Sequence, residues 1–365
     1  MKKVMFIMTK LGGPGWGGAH KVSVMLANAL AKRGYDVSFS VSEDSAQDYP
    51  VDENIKIFCL SGLYRPGRIR PLNLVKKVLA FRRLCKTEKI DVVVGFTSNM
   101  AIYAILASVF SKRKALVSER TDPHIEPGSK LLRGLRNRLF CFADRVVFQT
   151  PGARDYYPKA VRNKGTIIPN PISDSLIPTY TGERDKRIVN FCRIAPQKNL
   201  KVLLDAFDIF SRERSGYTLE IYGDATKNDQ YKDGILSYAE GLSCADRIRF
   251  YPACTDVHEK VKSAAMFASS SDYEGMSNSM LEAMAIGLPT IVTDCKNGGE
   301  RMCIDHGESG LIVPMRDPQA LAAAMLQVAG EEGLSRKLSA NGAKIRQRYS
   351  VTKIFDAWEE IVANI

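Results

Sequence analysis

Short apolar runs alternate with longer amphipathic stretches along the whole chain. The short runs are rich in Val, Ile and Phe, and they predict strands at residues 4–8, 37–41, 55–58, 92–95, 115–118, 146–149, 166–168, 188–191, 218–222, 248–251, 266–268, 290–292 and 311–313. Between several of them apolar residues recur every three or four positions and predict helices, including 21–32, 100–110, 200–212, 278–286 and 319–328. Repeated strand-then-helix units predict an α/β fold with doubly wound parallel sheets.

A proline-rich linker interrupts this alternation once. Residues 169–183 are rich in Pro, Ser and Thr, with three prolines between positions 169 and 178, and the strand–helix pattern restarts after them. We therefore expect two Rossmann-like domains, residues 1–170 and 171–350. Open parallel sheets bind ligands beyond the carboxyl ends of their strands, so two such domains facing each other would form a cleft with one ligand on each wall.

The composition narrows the class of protein. A hydrophobic fraction of 45% with 25% charged residues is typical of globular proteins, and no apolar run approaches the ~20 residues of a membrane-crossing helix. The apolar stretch 4–8 is shorter than the ~7–15 residues of an export signal, so we expect a cytoplasmic protein. The eight cysteines show no C-x-x-C spacing and the four histidines no H-x-x-x-H pair, so we expect reduced core thiols and no protein-bound metal.

The net charge of +12 is concentrated in the first half of the chain. Residues 1–180 carry 29 basic and 14 acidic residues, whereas the remainder has a balance of −3. Two basic amphipathic helices contribute, one within residues 64–89 and one over 130–142. In the second, leucines are expected on one face and arginines on the other: Leu131, Leu135 and Leu139 against Arg133, Arg136 and Arg138. The pattern is typical either of helices in an anionic lipid headgroup layer or of domain helices with a solvated basic face. No nucleic-acid-binding module accompanies the charge.

A glycine-rich loop follows the first predicted strand. Residues 13, 15 and 18 satisfy the dinucleotide pattern G-x-G-x-x-G, and Asp36 lies near the expected acidic position but precedes the second strand. Because five of the seven residues in this loop are glycines, one match to the pattern is weak evidence for NAD binding. Glycines let backbone amides approach a ligand closely at a helix N-terminus, which suits a phosphate or a sugar equally well.

A second candidate loop follows the first strand of the second half. Arg193 and Lys198 place two cations at the carboxyl end of a parallel strand, where they could clamp a diphosphate and neutralise a leaving group. The alternative is that Lys198 and Asn199 cap the next helix while Arg193 forms a surface ion pair. The residues alone do not decide between these interpretations.

The segment 270–289 carries the sharpest pattern. A strand ends in small polar residues, Gly275 breaks the chain, and a helix begins near Ser277, so that Glu274 precedes the helix and Glu282 lies inside it. Eight residues at ~1.5 Å rise span roughly 12 Å, which is too far for two carboxylates to flank one glycosidic bond. They could instead bind separate hydroxyl groups of one extended ligand, with a phosphate at the helix N-terminus.

Taken together, these motifs resemble glycosyltransferase family four, the large retaining group with the two-Rossmann GT-B fold. The resemblance rests on Glu-x7-Glu continuing as E-A-M-A-x-G-x-P, on the R-x-x-x-x-K-N loop, on the early G-G-A motif and on the I-P-N-P linker at 168–171. It implies an acceptor-binding domain 1–170, a nucleotide-sugar-binding domain 171–350, and a last helix (351–365) that packs back onto the first domain.

The same resemblance implies roles for individual residues. Arg193 and Lys198 would hold the diphosphate, Glu282 the ribose and Glu274 the hydroxyls of the donor sugar. The remaining predicted donor contacts are backbone and small polar groups: Gly17, Gly18, Gly275, Met276, Ser277 and Asn278. The loop 297–300 matches a family segment near the nucleotide.

The sequence departs from many relatives in the first domain. Where they carry a His close to the sugar, this chain has S-E-R-T-D-P at 118–123, which resembles a subgroup of bacterial surface-polysaccharide transferases. Arg120 would occupy the His position as a catalytic group and Glu119 would contact substrate. The alternative is a local Glu119–Arg120 ion pair at a strand end.

The resemblance and the motifs together predict a retaining glycosyltransferase that needs neither metal nor cofactor. It would move a hexose or N-acetylhexosamine from a nucleotide diphosphate, UDP rather than GDP, to a saccharide acceptor. A polyprenyl-diphosphate-linked acceptor at the inner membrane surface would suit the basic first domain, and binding to an anionic membrane is expected. Three alternatives stay open: an NAD-dependent enzyme, a non-catalytic sugar-binding protein and a GT-B nucleotide-sugar epimerase.

Overall fold

The computed structural model describes residues 1–12, 18–43, 49–62, 70–225 and 229–365. Within them the chain divides into two compact units. Unit 1 comprises Met1–Asn170 together with Thr352–Ile365, and unit 2 comprises Pro171–Val351.

Unit 1 contains a seven-stranded, entirely parallel sheet. Its strands are β1 (Lys3–Met8), β2 (Asp36–Val41), β3 (Lys56–Cys59), β4 (Val92–Gly95), β5 (Lys114–Glu119), β6 (Arg145–Phe148) and β7 (Gly165–Ile167). They are ordered β3-β2-β1-β4-β5-β6-β7. The helices are α1 (Gly18–Lys32), α2 (Arg70–Thr87), α3 (Ser98–Ser108), α4 (Lys130–Phe140), α5 (Pro151–Asp155) and α6 (Lys159–Arg162).

Unit 2 contains a six-stranded parallel sheet of the same doubly wound kind. Its strands are β8 (Asp185–Phe191), β9 (Thr218–Tyr222), β10 (Ile248–Tyr251), β11 (Ala264–Ser269), β12 (Thr290–Thr293) and β13 (Leu311–Val313), ordered β10-β9-β8-β11-β12-β13. The helices are α7 (Leu200–Glu213), α8 (Asp229–Glu240), α9 (Val257–Val261), α10 (Asn278–Ala285), α11 (Gly299–Cys303), α12 (Pro318–Gly330), α13 (Glu332–Gly342) and α14 (Ile345–Arg348).

The α/β prediction is confirmed in detail. Each of the thirteen predicted strands is present, with ends that differ from the prediction by three residues or fewer. Helix α3 (Ser98–Ser108) has the predicted length but begins and ends two residues before the predicted range 100–110. Val109 N closes its last turn on Ile105 O, and Phe110 adopts φ +57°, outside the helix and 97% exposed.

Helix α4 differs from its predicted orientation. Arg136, expected on the solvated face, is fully buried, whereas Leu131 and Leu135 are 82% and 50% exposed. Burial of Arg136 is possible because its guanidinium donates hydrogen bonds to the Glu119 carboxylate and to the backbone oxygens of Pro123 and Glu126. The apolar surface of α4 therefore lies partly on the outside of unit 1.

The last helix, α15 (Val351–Asn364), completes unit 1. Trp358 is fully buried and stacks on Phe96, with ring centroids 5.5 Å apart. Arg33 of the loop after α1 forms ion pairs with Asp356 and Glu359, and Lys2 donates to the terminal carbonyls of the helix. The C-terminal residues thus belong to the core of unit 1 rather than to a tail.

No helix among the described residues combines the length and apolarity needed to cross a membrane.

Candidate active site

The loop 193–199 lies directly beyond β8 in unit 2. Its path is fixed by a close approach to the neighbouring strand end, where a Cβ on Gly223 would lie 1.8 Å from the Cys192 carbonyl oxygen. A 3₁₀ turn over Pro196–Lys198 follows, and Asn199 adopts a left-handed conformation before α7 begins. The prediction that this loop precedes a helix at the carboxyl end of a parallel strand is confirmed.

Lys198 and Glu274 form a buried ion pair at the centre of the site. The Nζ of Lys198 lies 2.5 Å from Oε1 of Glu274, and both residues are less than a tenth exposed. Burial opposes the charge on Lys198, but the adjacent carboxylate outweighs it and raises the pKa of Lys198 above its usual value. Ser271 Oγ donates to the same carboxylate oxygen at 2.7 Å, so the pair is fixed in orientation.

Arg193 lies next to this pair. Its Nη2 donates to the side-chain oxygen of Gln197 at 3.3 Å, and within the described residues it forms no ion pair. Gln197 in turn donates to Glu274 Oε2 at 3.1 Å and to the Tyr273 carbonyl at 2.8 Å. The structure therefore brings Arg193, Lys198 and Glu274 together in one hydrogen-bonded cluster.

The backbone around Glu274 is held from two sides. Ser270 Oγ donates to the carbonyls of Lys198 and Asn199, which fastens it to the first loop. On the other side Asn297 donates to the Glu274 carbonyl at 3.0 Å. The helix α10 then starts at its N-cap, Ser277, whose Oγ accepts from Met280 N. Glu274 therefore sits on a rigid support.

Glu282 has a different partner. Its Oε2 lies 3.2 Å from Nε2 of His258, at the start of the short helix α9, and the two side chains are about one-fifth exposed. The His258 ring packs edge-on against Phe191, at the end of β8. Glu274 and Glu282 thus make separate contacts, as the spacing of the two carboxylates suggested.

A third acid, Glu300, is buried beside the cluster. It lies in the first turn of α11, is 2% exposed, and its Oε2 has no hydrogen-bond partner among the described residues. Burial, together with the negative charge of Glu274, raises the pKa of Glu300 to about 8. At neutral pH Glu300 is therefore mostly a neutral carboxylic acid.

In unit 1, Glu119 ends β5 as the acceptor of a buried network. Its oxygens accept from Ser98 Oγ, from Tyr157 OH at 2.6 Å and from Arg136 Nη1 at 3.4 Å, and the carboxylate is fully buried. It also accepts from the backbone and side chain of Thr121. The Glu119–Arg120 side-chain ion pair that the sequence left open is not formed; Arg136 takes that place.

Arg120 is a buried cation held by aromatic rings. Its guanidinium carbon lies 4.3 Å from the Phe96 ring centroid and 5.3 Å from that of Trp358, and Nη1 donates to Asn170 at 2.9 Å. Nε and Nη2 have no hydrogen-bond partner among the described residues. Burial lowers the pKa of Arg120 to about 9, although the charge of Glu119 partly counteracts it.

The other predicted contacts divide into two groups. Gly275, Met276 and Ser277 are buried directly after Glu274, and Asn278 is the first residue of α10. Gly18 is the first residue of α1, whereas Gly17 and most of the glycine-rich loop lie outside the described residues. The ligand contacts assigned to all of these residues stay predictions.

Several residues of the cluster were not singled out from the sequence. Gln197 lies inside the Arg193–Lys198 motif and Asn297 inside the 297–300 segment, but the sequence indicates no separate role for either. His258 belongs to no motif, and Arg136 is expected on the solvated face of α4. They come from segments far apart in the chain, so only the tertiary structure assembles them. Within the described residues no three His, Cys, Asp or Glu side chains converge to form a potential metal site.

Comparison with known families divides the chain at the same linker. Residues 16–176 match the family described as Glycosyltransferase Family 4, and residues 185–331 match the family described as Glycosyl transferases group 1.

Individual relatives align along the full length. The chain is 25% identical to an uncharacterized glycosyltransferase of Haemophilus influenzae, with 99% of this chain and 100% of the relative covered. It is 24% identical to a Campylobacter jejuni α-1,4-N-acetyl-D-galactosaminyltransferase named for a GalNAc-GalNAc-diNAcBac-PP-undecaprenol substrate, with 100% and 99% covered.

Solved structures of the same fold also superpose over the whole length of the chain. Anabaena HepE in complex with UDP and glucose superposes with a TM-score of 0.85 at 18% identity, covering 100% of both chains. The sucrose-phosphate synthase of Thermosynechococcus elongatus gives a TM-score of 0.82 at 18% identity, with 100% of this chain and 99% of the other covered. At this identity the structures establish the fold.

The raised pKa of Glu300 leads to a pH-dependent difference in stability. In the unfolded protein the pKa of the Glu300 carboxyl is near 4.5, whereas in the folded protein it is about 8. The contribution of Glu300 to the free energy of unfolding therefore falls as the pH rises between those values. Glu300→Gln cannot ionise, and we expect its thermal midpoint relative to wild type to increase steadily from pH 5 to pH 8. Glu240→Gln, an exposed change, is the control; a Glu300→Gln difference that is constant with pH would contradict the assignment.

Proposed function

Because this chain belongs to the family-four glycosyltransferases of the GT-B fold, we propose that it transfers a hexose or N-acetylhexosamine from a UDP-sugar with retention of anomeric configuration. The observation that carries the proposal is the cluster of unit 2, in which Arg193 has no carboxylate partner among the described residues and lies beside the buried Lys198–Glu274 pair. An uncompensated cation next to a fixed carboxylate suits a ligand with an anionic diphosphate and a hydroxyl-rich sugar.

UDP as the nucleotide is supported by the fold relatives. HepE has been solved with UDP and with UDP-glucose, and its chain superposes on this one over its whole length. In the proposed arrangement Arg193 and Lys198 meet the diphosphate, Glu274 binds the sugar hydroxyls and Glu282 the ribose. Glu274 Oε2 accepts a single hydrogen bond within the described residues, which leaves it able to accept another from a sugar hydroxyl.

The proposed chemistry exchanges one bond for another at the anomeric carbon. The bond from this carbon to the diphosphate oxygen breaks, a bond to the acceptor oxygen forms on the same face, and the acceptor proton passes to the departing diphosphate. Negative charge grows on the diphosphate as the bond breaks, and fixed cations placed there stabilise the transition state more than the ground state. The departing oxygen takes the proton, so the scheme requires no separate general base.

The proposed acceptor is a saccharide linked to a polyprenyl diphosphate. Two relatives from Campylobacter jejuni carry names that specify undecaprenyl-diphosphate-linked saccharides, and both align over at least 95% of this chain. Arg120, a buried cation with two guanidinium nitrogens, Nε and Nη2, that have no protein acceptor among the described residues, is the proposed catalytic contact of unit 1. Such an acceptor requires the protein to work at a membrane surface.

Helix α4 provides the proposed membrane contact. Leu131, Leu132 and Leu135 are each at least half exposed, and Lys130 and Arg138 are exposed on the same helix. Apolar side chains flanked by cations bind to the headgroup layer of an anionic bilayer, where burial of the leucines and attraction to the phosphates act together. The described part of α4 contains no acidic residue to oppose this attraction.

Lys198→Ala tests the proposed function directly. We expect turnover of a UDP-sugar with a polyprenyl-diphosphate-linked saccharide to fall by ~10²-fold, since a cation at the developing diphosphate charge is lost. The measurement is product formation by mass spectrometry over a panel of UDP-hexoses and UDP-N-acetylhexosamines, with an acceptor-free reaction in parallel. Lys201→Ala, an exposed lysine three residues later, is the control. Wild-type turnover in Lys198→Ala would refute the proposed role of the cluster.

Independence from metal ions is tested in the same assay. Arg193 and Lys198 are proposed to supply the charge that a divalent cation would otherwise provide. We expect excess EDTA to leave the initial rate unchanged and added Mg²⁺ or Mn²⁺ not to increase it. Loss of activity with EDTA that is restored by one of these ions would show that the cations of the cluster are insufficient.

Vesicle flotation tests the membrane contact. We expect the protein to float with vesicles that contain phosphatidylglycerol, to float less in high salt and to be absent from purely phosphatidylcholine vesicles. The double change Leu131→Ser and Leu135→Ser should reduce flotation several-fold, because the removed apolar groups are those proposed to enter the headgroup layer. Ile57→Ser, a half-exposed apolar residue on the edge strand β3, should float like wild type; equal loss in both would argue against α4 as the contact.

A further inference from the structure

Gln197 connects the cation and the carboxylate of the cluster. Its Nε2 donates to Glu274 Oε2 and to the Tyr273 carbonyl, while its Oε1 accepts from Arg193 Nη2. We infer that Gln197 is a positioning residue that orients Arg193 toward the diphosphate of the donor without neutralising its charge. This inference rests on the proposed function and adds to it a positioning role for Gln197.

The orientation of the amide follows from its partners. The Glu274 carboxylate and the Tyr273 carbonyl are acceptors, so the NH₂ group of the amide must face them. The Arg193 guanidinium is a donor, so the amide oxygen must face it. Among uncharged side chains of this length only an amide presents a double donor and an acceptor at once. Gln197 is therefore matched to its surroundings in both directions, and reversal of the amide would break all three contacts.

The absence of charge on Gln197 is the important property. A carboxylate in its place would form an ion pair with Arg193 and would lie against the carboxylate of Glu274, so it would both neutralise the cation and repel the acid. The neutral amide avoids both effects. Arg193 is exposed and its charge stays available, because the described residues offer it a neutral acceptor and no carboxylate.

Gln197 also contacts the oxygen of Glu274 that can still accept a hydrogen bond. Oε1 already accepts from Lys198 Nζ and Ser271 Oγ, which occupies both of its lone pairs. Oε2 accepts from Gln197 alone within the described residues. One amide thus contacts both the cation and the carboxylate oxygen that keeps an acceptor site.

Two substitutions separate the charge of this side chain from its hydrogen bonds. Gln197→Met keeps a similar length but removes all three contacts, and Gln197→Glu keeps the acceptor and adds charge. We expect both to weaken UDP binding by about tenfold or more, measured by isothermal titration calorimetry, since a correctly placed charged contact to the diphosphate is lost. Uridine has no phosphate for Arg193 to meet, so its affinity should stay within about twofold of wild type.

The matched control is the same pair of changes at Gln327, an exposed glutamine of α12 in the same unit. These variants should bind UDP like wild type. A double-mutant cycle adds a second readout: Arg193→Ala combined with Gln197→Met should bind UDP no more weakly than Arg193→Ala alone, because Gln197 acts on UDP through Arg193. If the added charge of Gln197→Glu lowers the thermal midpoint, the UDP and uridine affinities of Gln197→Met alone decide the outcome.

The outcomes distinguish the two proposals. If wild type binds UDP no more tightly than uridine, the proposed donor is wrong, and so is the proposed role of Gln197. If wild type prefers UDP but Gln197→Met also binds it normally, the donor stands and the positioning role is overturned. A parallel loss of UDP and uridine affinity would overturn it as well, since this indicates a general packing defect rather than a lost diphosphate contact.

Discussion

The buried ion pair between Lys198 and Glu274 is the constraint on which the rest of the site depends. A charge removed from water is tolerated only with a partner and further hydrogen bonds. Here Ser271 and Gln197 donate to the Glu274 carboxylate, and Asn297 donates to the Glu274 backbone carbonyl. The requirement brings together the segments after β8, β11 and β12, which end at the same edge of a parallel sheet. The site is thus a consequence of satisfying one buried pair.

Both units repeat the same electrostatic arrangement with different residues. Each buries a cation–carboxylate pair, Lys198–Glu274 in unit 2 and Arg136–Glu119 in unit 1. Each also holds a second arginine nearby by neutral groups: Arg193 by an amide, Arg120 by two aromatic rings and Asn170. A cation held by neutral groups keeps its full charge available to a ligand.

Helix α4 shows why a face cannot be assigned from periodicity alone. Three leucines opposite three arginines predict a buried apolar stripe, but Arg136 is fully buried and Leu131 is largely exposed. The inversion occurs because Glu119, eleven residues before the helix, needs a cationic partner in the core. The resulting exposed leucines beside lysine and arginine are what make a lipid surface the proposed contact.

The amino-acid sequence alone determined the thirteen strands, the parallel α/β class and the two loops that carry Arg193, Lys198 and Glu274, because strand-and-helix periodicity and loop position are local properties. It did not reveal Gln197 as the link between Arg193 and Glu274, the pairing of Glu282 with His258, or the neutral state of Glu300. Those depend on side chains from distant segments that meet in the protein interior, where polarity is low. There the presence of a hydrogen bond, or the degree of burial, decides which group is charged, and a displacement of a few ångströms changes both. Only the tertiary structure sets those distances.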